Sequence, residues 1–224
     1  MFNAVRGWFG EKKTAVNMWV SLNTNTYQRF HDVYIPTFNG TAQIDHLLIS
    51  PFGVFIVETK NFKGWVFGDE KAAQWTQSLY GKKYRFQNPL RQTYRQKKAL
   101  AAYFDIDEQL IKTVVYFTGD CKLKTELPAN VLDRGLGRHI KRFKNVVLSE
   151  SEMDGLLRKV HQHTDSCTTT NRQHVKALRS RHNSTNACPK CGSELVERIA
   201  RSGANAGNKF LGCQSFPKCR FIKS

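Results

Sequence analysis

The sequence predicts an α/β fold, a mixed sheet flanked by helices, with a small second module at its C-terminal end. Three observations carry that expectation. Helical and strand periodicities alternate along the first 164 residues, the two most apolar strands are joined by a tight turn, and four cysteines fall in two short pairs near the C-terminus. A chain of 224 residues has room for one main core and an appendage, since domains usually run to ~100 to 200 residues.

The elements follow in order. "GEKKTAVNMWVSL" sets Val16, Trp19 and Val20 on a helical period, which predicts an opening helix. "HDVYIP" reads as a short strand. "AQIDHLLIS" and "GVFIVETK" read as two strands joined by "SPFG", a turn with Pro at its second position and Gly at its fourth. "WVFG" adds a short strand that ends near "GDEKAAQW". Asn88 caps a helix over "PLRQTYRQKKALAAYF", with Pro89 as its first residue. "IKTVVYFTG" and "KNVVLS" read as strands, and "SESEMDGLLRKVHQH" as a last helix opened by a Ser149–Glu152 capping box. Helix, meander, helix, two strands and helix make a sandwich around a mixed sheet. The stretch 165–187, rich in Ser, Thr, Asn and Arg, reads as a basic linker between a domain over 1–164 and a module over 188–224.

Charge narrows the partner. Lys and Arg number 35 against 18 Asp and Glu, for a net +17. Such a surplus favours polyanions through counterion release, so nucleic acid or an anionic membrane surface is the natural partner. No apolar run approaches the ~18 residues of a membrane helix. "MFNAVRGWFGEKK" lacks the pattern of a secretory signal, and the expectation is a soluble, cytoplasmic protein with no membrane partner.

Cys188 and Cys191 stand in "CPKCG", and Cys213 and Cys219 in "CQSFPKC". Two thiolate pairs on separate turns suit a tetrahedral, structural Zn²⁺ with sulfurs ~2.3 Å from the ion, and Pro189, Gly192 and Pro217 support the turns. A disulfide module would need an oxidising compartment, for which the sequence carries no signal. Cys121 and Cys167 read as ordinary free thiols. The tail "CPKCGSELVERIARSGANAGNKFLGCQSFPKCRF" resembles the four-cysteine zinc finger at the C-terminal end of bacterial type IA topoisomerases. That resemblance implies a zinc-ribbon-like module that binds DNA, notably single strands. Compatible residues are Lys209, Phe216, Lys218, Arg220 and Phe221, whose rings can stack on bases while the cations track phosphates. Phe210 is expected to serve the module's own core.

The chemistry gathers on the two central strands. If the "SPFG" turn is tight, paired positions sum to 103, Ser50 lies across from Gly53, and Asp45 lies opposite Glu58. Lys60 shares Glu58's face, because side chains alternate along a strand. Two facing carboxylates repel unless a cation joins them. Mg²⁺ or Mn²⁺ would remove that cost and leave positions open for substrate, with Lys60 beside it to serve an attacking water. A three-residue loop with a bulge at Gly53 would instead shift the register by one and turn Asp45 away. A plain salt-bridge cluster at a strand end is the other alternative.

"QIDHLLISPFGVFIVETKNFKGWVFG", with Gly10 and Glu11 before it and Asn88, Pro89 and Gln92 after it, resembles the signature of the nuclease-related domain. That family is grouped with the restriction-endonuclease-like PD-(D/E)XK superfamily. The resemblance implies a restriction-endonuclease-like mixed sheet in which Asp45 and Glu58 hold the metal, Lys60 serves the water, and Glu11 and Gln92 complete the site. The expected function is a metal-dependent DNA nuclease whose zinc finger holds the strand. The alternative is a catalytically silent DNA-binding or docking module of a repair or processing complex, and an RNA-processing enzyme would differ only in substrate. His46, beside Asp45, is expected on the opposite face, and His31 and His139 have no acidic or cysteine partner in sequence. Residues 82–98, "KKYRFQNPLRQTYRQKK", are a candidate DNA groove or a solvated helix face.

Overall fold

β1 (Gln28–Thr37) pairs antiparallel with β2 (Gly40–Ser50), and β2 with β3 (Gly53–Asn61). In this computed structural model, residues 21–37, 40–167, 169, 173, 186–188, 191, 193–200, 203, 205–217 and 219–223 are described. All but the last two residues of the expected opening helix, Ser21 and Leu22, lie outside these residues. Ser50 pairs with Gly53 and Ile49 with Val54, so the sum of 103 holds along the hairpin and the bulged alternative is excluded. Gly53 adopts φ +121, and a Cβ there would stand 2.7 Å from the Leu110 carbonyl oxygen, so the turn admits only glycine.

After β3 the chain forms β4 (Gly64–Phe67), β5 (Gln74–Leu79) and β6 (Lys82–Gln87), then α1 (Pro89–Phe104). Asn88 caps α1 as expected, its Oδ1 accepting from Leu90 N at 2.9 Å. β7 (Ile111–Thr118) runs parallel to β3, and β9 (Val131–Leu132), which follows β8 (Cys121–Leu123), runs parallel to β7. The main sheet therefore has the mixed order β1-β2-β3-β7-β9. α2 (Leu136–Ile140) and α3 (Glu150–Ser166) complete the domain, and Ser149 and Glu152 form the expected capping box.

Both faces of the central strands are covered, which is why Val54–Val57 reads as one unbroken apolar run. Val54 and Ile56 pack with Ile44, Leu47 and Ile49 against Leu100 and Phe104 of α1 and Leu156 and Val160 of α3. Phe55 and Val57 pack on the other side with Leu48, Val114, Tyr27 and the α2 residues Leu136 and Ile140. The parallel β3/β7 pair then bends and continues as β4/β8, one side of a second sheet ordered β6-β5-β4-β8. Gly119 makes the bend possible: at φ +84, a Cβ would lie 2.4 Å from the Phe62 carbonyl oxygen.

Two expectations need correction. Residues 82–87 form β6, so the stretch 82–98 is a strand and a helix joined at Asn88, and not one continuous helix face. Its hairpin partner β5 turns through Tyr80 and Gly81, both at positive φ, as a two-residue hairpin turn requires. "KNVVLS" is not a strand: the Val147 and Leu148 N–H groups both donate to the Pro51 carbonyl, at 2.8 and 3.1 Å, and lock that segment over the β2–β3 turn.

The C-terminal module forms a small antiparallel sheet of β10 (Leu195–Ile199), β11 (Lys209–Cys213) and β12 (Ile222–Lys223). Its core is Cys188, Leu195, Cys213 and Cys219. No helix among the described residues is long and apolar enough to cross a membrane.

Candidate active site and metal centre

The β2–β3 ladder stops at the pair His46–Val57, one step short of Asp45 and Glu58. Beyond it the Thr59 N–H donates to Asp45 Oδ2 at 2.8 Å. The carboxylate thus takes the place that a main-chain carbonyl of β2 would fill, and it lies one residue from Glu58. Both acids are held in the interior, Asp45 at 9% and Glu58 at 1% exposure.

Glu58 is fixed from two sides. Its Oε1 accepts from Lys60 Nζ at 2.5 Å, and its Oε2 accepts from Gln96 Nε2 at 2.6 Å. Lys60 Nζ also donates to Gln92 Oε1 at 3.1 Å. Gln92 and Gln96 are four residues apart, so α1 presents both on one face to the strand ends. Gln96 Nε2 donates further to the Gln43 carbonyl at 2.7 Å, bridging β2 to Glu58 where the two strands part. A buried carboxylate requires such donors, since an unpaired one is strongly disfavoured. The Lys60 ammonium supplies the compensating charge.

The structure therefore brings Glu58, Lys60 and Gln92 into direct contact, with Asp45 beside them. Glu11 lies outside the described residues. Gln96 was not singled out from the sequence; its signal was the four-residue spacing from Gln92. His46 is buried and takes no part in the cluster. Its Nδ1 meets Nδ1 of His31 at 2.7 Å across the β1–β2 pair, a partner for His31 that the sequence reading did not identify. Burial pushes the His46 imidazole down to about 3, so the pair shares its hydrogen bond uncharged.

The four cysteine sulfurs of the C-terminal module all lie within 4.8 Å of one another. Cys191 and Cys213 stand 3.3 Å apart and Cys188 and Cys219 3.8 Å apart. Sulfurs ~2.3 Å from one tetrahedral ion are ~3.8 Å from each other, so the cluster has the dimensions of a zinc site. The Cys191 thiol is drawn down to about 4, chiefly by its hydrogen bond with Cys188, while burial pushes Cys219 up to about 11. Crowded thiols share little negative charge alone, and a central cation lets all four ionise.

Among the residues singled out for nucleic acid, Phe216 is 57% exposed with the Arg198 guanidinium 5.7 Å from its ring centre. Arg220 is exposed, and Lys209 is exposed while paired with Glu197 at 2.9 Å. Phe221 packs against the cysteine core, and Phe210 is half-buried. Lys218, Pro189 and Gly192 lie outside the described residues. Cys121 and Cys167 are free thiols, as expected.

Two known families match parts of this chain. Residues 6–118 match the nuclease-related domain, and residues 185–224 match the topoisomerase DNA-binding C4 zinc finger. An uncharacterized protein of Bacillus anthracis is 33% identical over 186 residues, covering 78% of this chain and 85% of its own. DNA topoisomerase 1 of Methanothermobacter thermautotrophicus is 53% identical over 37 residues, 16% of this chain and 4% of the topoisomerase. DNA topoisomerase 1 of Helicobacter pylori strain J99 is 46% identical over a stretch of the same length. No solved structure matches.

Proposed function

Because the chain belongs to the nuclease-related domain family, we propose that its buried carboxylate–lysine cluster hydrolyses phosphodiester bonds of DNA with a divalent metal, while its cysteine module holds zinc and grips the strand. The observation that carries this reading is the position of Glu58, between Lys60 and Gln96 and beside Asp45, at the point where β2 and β3 separate.

Asp45 and Glu58 would hold Mg²⁺ or Mn²⁺. The donor set fits: both are hard oxygen ligands. Gln96 Oε1 is buried without a hydrogen-bond partner, while its Nε2 is pinned by two acceptors that fix the amide's orientation. Such an ion lowers the pKa of a bound water and polarises the phosphoryl oxygen. Lys60, on a long stem and more exposed than Glu58, would present its ammonium to a water or a developing negative charge beside that carboxylate. Gln92 holds the Lys60 ammonium in place for this. Glu11 completes the site in the family pattern.

In the zinc module, Phe216 and Phe221 would serve as stacking surfaces for bases, with Lys209, Lys218 and Arg220 against phosphates. The division is a nuclease domain over 1–164, a basic linker over 165–187 and a zinc finger over 188–224. The cytoplasm, where DNA and reduced thiols coexist, is the compartment this chemistry requires.

The test is incubation of the purified chain with single- and double-stranded DNA and Mg²⁺ or Mn²⁺, beside a Glu58→Ala, Lys60→Ala double variant. Hydrolysis should be confined to the unmodified chain, and equal activity in both sinks the reading. One observation favours a second reading, a catalytically silent DNA-binding module: the Lys60 ammonium itself compensates the charge of Glu58. Calorimetric titration with Mn²⁺ separates the two, since the silent module would bind none at Asp45 and Glu58.

A further inference from the structure

The second sheet has one covered face and one bare one. Val66, Trp75 and Phe86 point into a core shared with Phe117 and Val131. Cross-strand partners share a face, so the register defines what the other side presents. Lys83, Ser78, Trp65 and Lys122 form one row across the four strands, and Arg85, Thr76 and Phe67 form a second. Trp65 is 51% exposed and Phe67 37%. The Lys124 ammonium lies 4.6 Å from the Trp65 ring centre. The four strands contain no Asp or Glu.

We propose that this bare face is a platform for single-stranded nucleic acid, with bases stacked on Trp65 and Phe67 and phosphates against Lys83, Arg85, Lys122 and Lys124. The inference rests on the reading of this chain as a protein that works on nucleic acid, and it adds a surface separate from both the carboxylate cluster and the cysteine module. Two rings two residues apart on a strand are ~6–7 Å apart, about twice the 3.4 Å rise per nucleotide of a duplex strand. They match a stretched, unstacked chain and not a stacked one. An open sheet face also offers no ridge to enter a duplex groove, whereas exposed aromatics between cations are what unpaired bases require. The chain runs from Lys60 into β4, so Trp65 stands within ~17 Å of the catalytic lysine along the backbone. A strand lying across the sheet would be led to the cluster.

The probe is fluorescein-labelled oligo-dT of 20 nucleotides, with a labelled 20-base-pair duplex beside it, titrated into the full chain without added divalent metal. A Trp65→Ala, Phe67→Ala double variant should lose about tenfold or more in oligo-dT affinity, and a Trp65→Phe, Phe67→Tyr variant should recover most of it. Duplex binding should change by less than about threefold, since phosphate contacts carry it. Oligo-dT affinity within twofold of the unmodified chain in the alanine variant overturns the platform, and so does an equal loss toward oligo-dT and duplex. Hydrolysis of the same oligonucleotide with Mg²⁺ is scored separately. A chain that needs the platform to bind but never cuts removes the nuclease reading alone; one that cuts while its alanine variant binds normally removes the platform alone.

Discussion

Gln96 Nε2 donates to both Glu58 Oε2, at 2.6 Å, and the Gln43 carbonyl, at 2.7 Å, so one helix side chain closes the gap between two parting strands and fixes a buried carboxylate. Gln96→Leu keeps the volume but removes both donors. Leaving a buried carboxylate oxygen and a carbonyl unsatisfied costs about 3 kcal/mol, to be read as a lower urea midpoint at unchanged slope. Under the nuclease reading, cleavage should fall further than stability does, because Glu58 loses its orientation.

Asp45 has two separable roles. Its Oδ2 accepts the Thr59 N–H, which an asparagine carbonyl can also do. Asp45→Asn should therefore unfold within about 1 kcal/mol of the unmodified chain, while Asp45→Ala costs about 1 to 3 kcal/mol. The negative charge is absent in both. Under the nuclease reading, Mn²⁺ affinity and DNA cleavage should fall together in Asp45→Asn, a loss of function without a loss of fold that chemical denaturation and calorimetry would distinguish.

What the sequence disclosed follows from how strongly each element is patterned. The β2–β3 register was readable because the "SPFG" turn and two strongly apolar strands leave little room for slippage, and its sum of 103 sets Asp45 opposite Glu58 one step beyond the last pair, His46–Val57. Gln92 came from a motif, whereas Gln96 lay hidden in a helix rich in polar residues. The β5–β6 hairpin escaped notice because its strands are mostly polar and its turn places Tyr80, a poor residue for positive φ, where Asn or Gly would have signalled it. "KNVVLS" has a strand's composition, but its N–H groups are satisfied by a single carbonyl, a tertiary fact with no local signature. β9 is two residues long, too short for any periodicity.

The cysteine module should lose its metal and its fold together, and alone. Its buried core contains three of the four cysteines and Leu195, and is separate from the three hydrophobic clusters of the larger domain. Cys213→Ser removes one sulfur of the tetrahedral set. Zinc measured by mass spectrometry should drop from one ion per chain to near none, while the main thermal transition stays in place. A matching shift of the main transition would show that the modules depend on each other.

Burial pushes the Cys121 thiol up to about 11, with Asp133 adding to the effect. The thiolate is the reactive form, so below that value its share rises about tenfold per pH unit. Iodoacetamide labelling followed by peptide mass spectrometry should show Cys121 nearly inert at pH 7 and steadily faster toward pH 10. A rate that levels off near pH 8 would mean that the thiol is not held in an apolar setting.

Asn88 is fully buried and uses both ends of its amide: Oδ1 caps α1 at Leu90 N, and Nδ2 donates to the carbonyls of Ala72, Glu70 and Asp69 at 2.7, 3.0 and 3.2 Å. Asparagine and aspartate are equally good helix caps, so capping alone predicts that Asn88→Asp is harmless. The three carbonyls predict the reverse. Aspartate would set a carboxylate against three acceptors with no proton to share, in a fully buried site. Asn88→Asp should therefore destabilise at least as much as Asn88→Ala, by about 2 kcal/mol or more, and should recover as falling pH protonates the new carboxyl. Urea denaturation at pH 7 and pH 4.5, each variant compared with the unmodified chain at the same pH, decides between the two accounts. This residue caps α1, which carries Gln92 and Gln96, so the same substitution should displace both glutamines and, under the nuclease reading, lower Mn²⁺ affinity at Asp45 and Glu58.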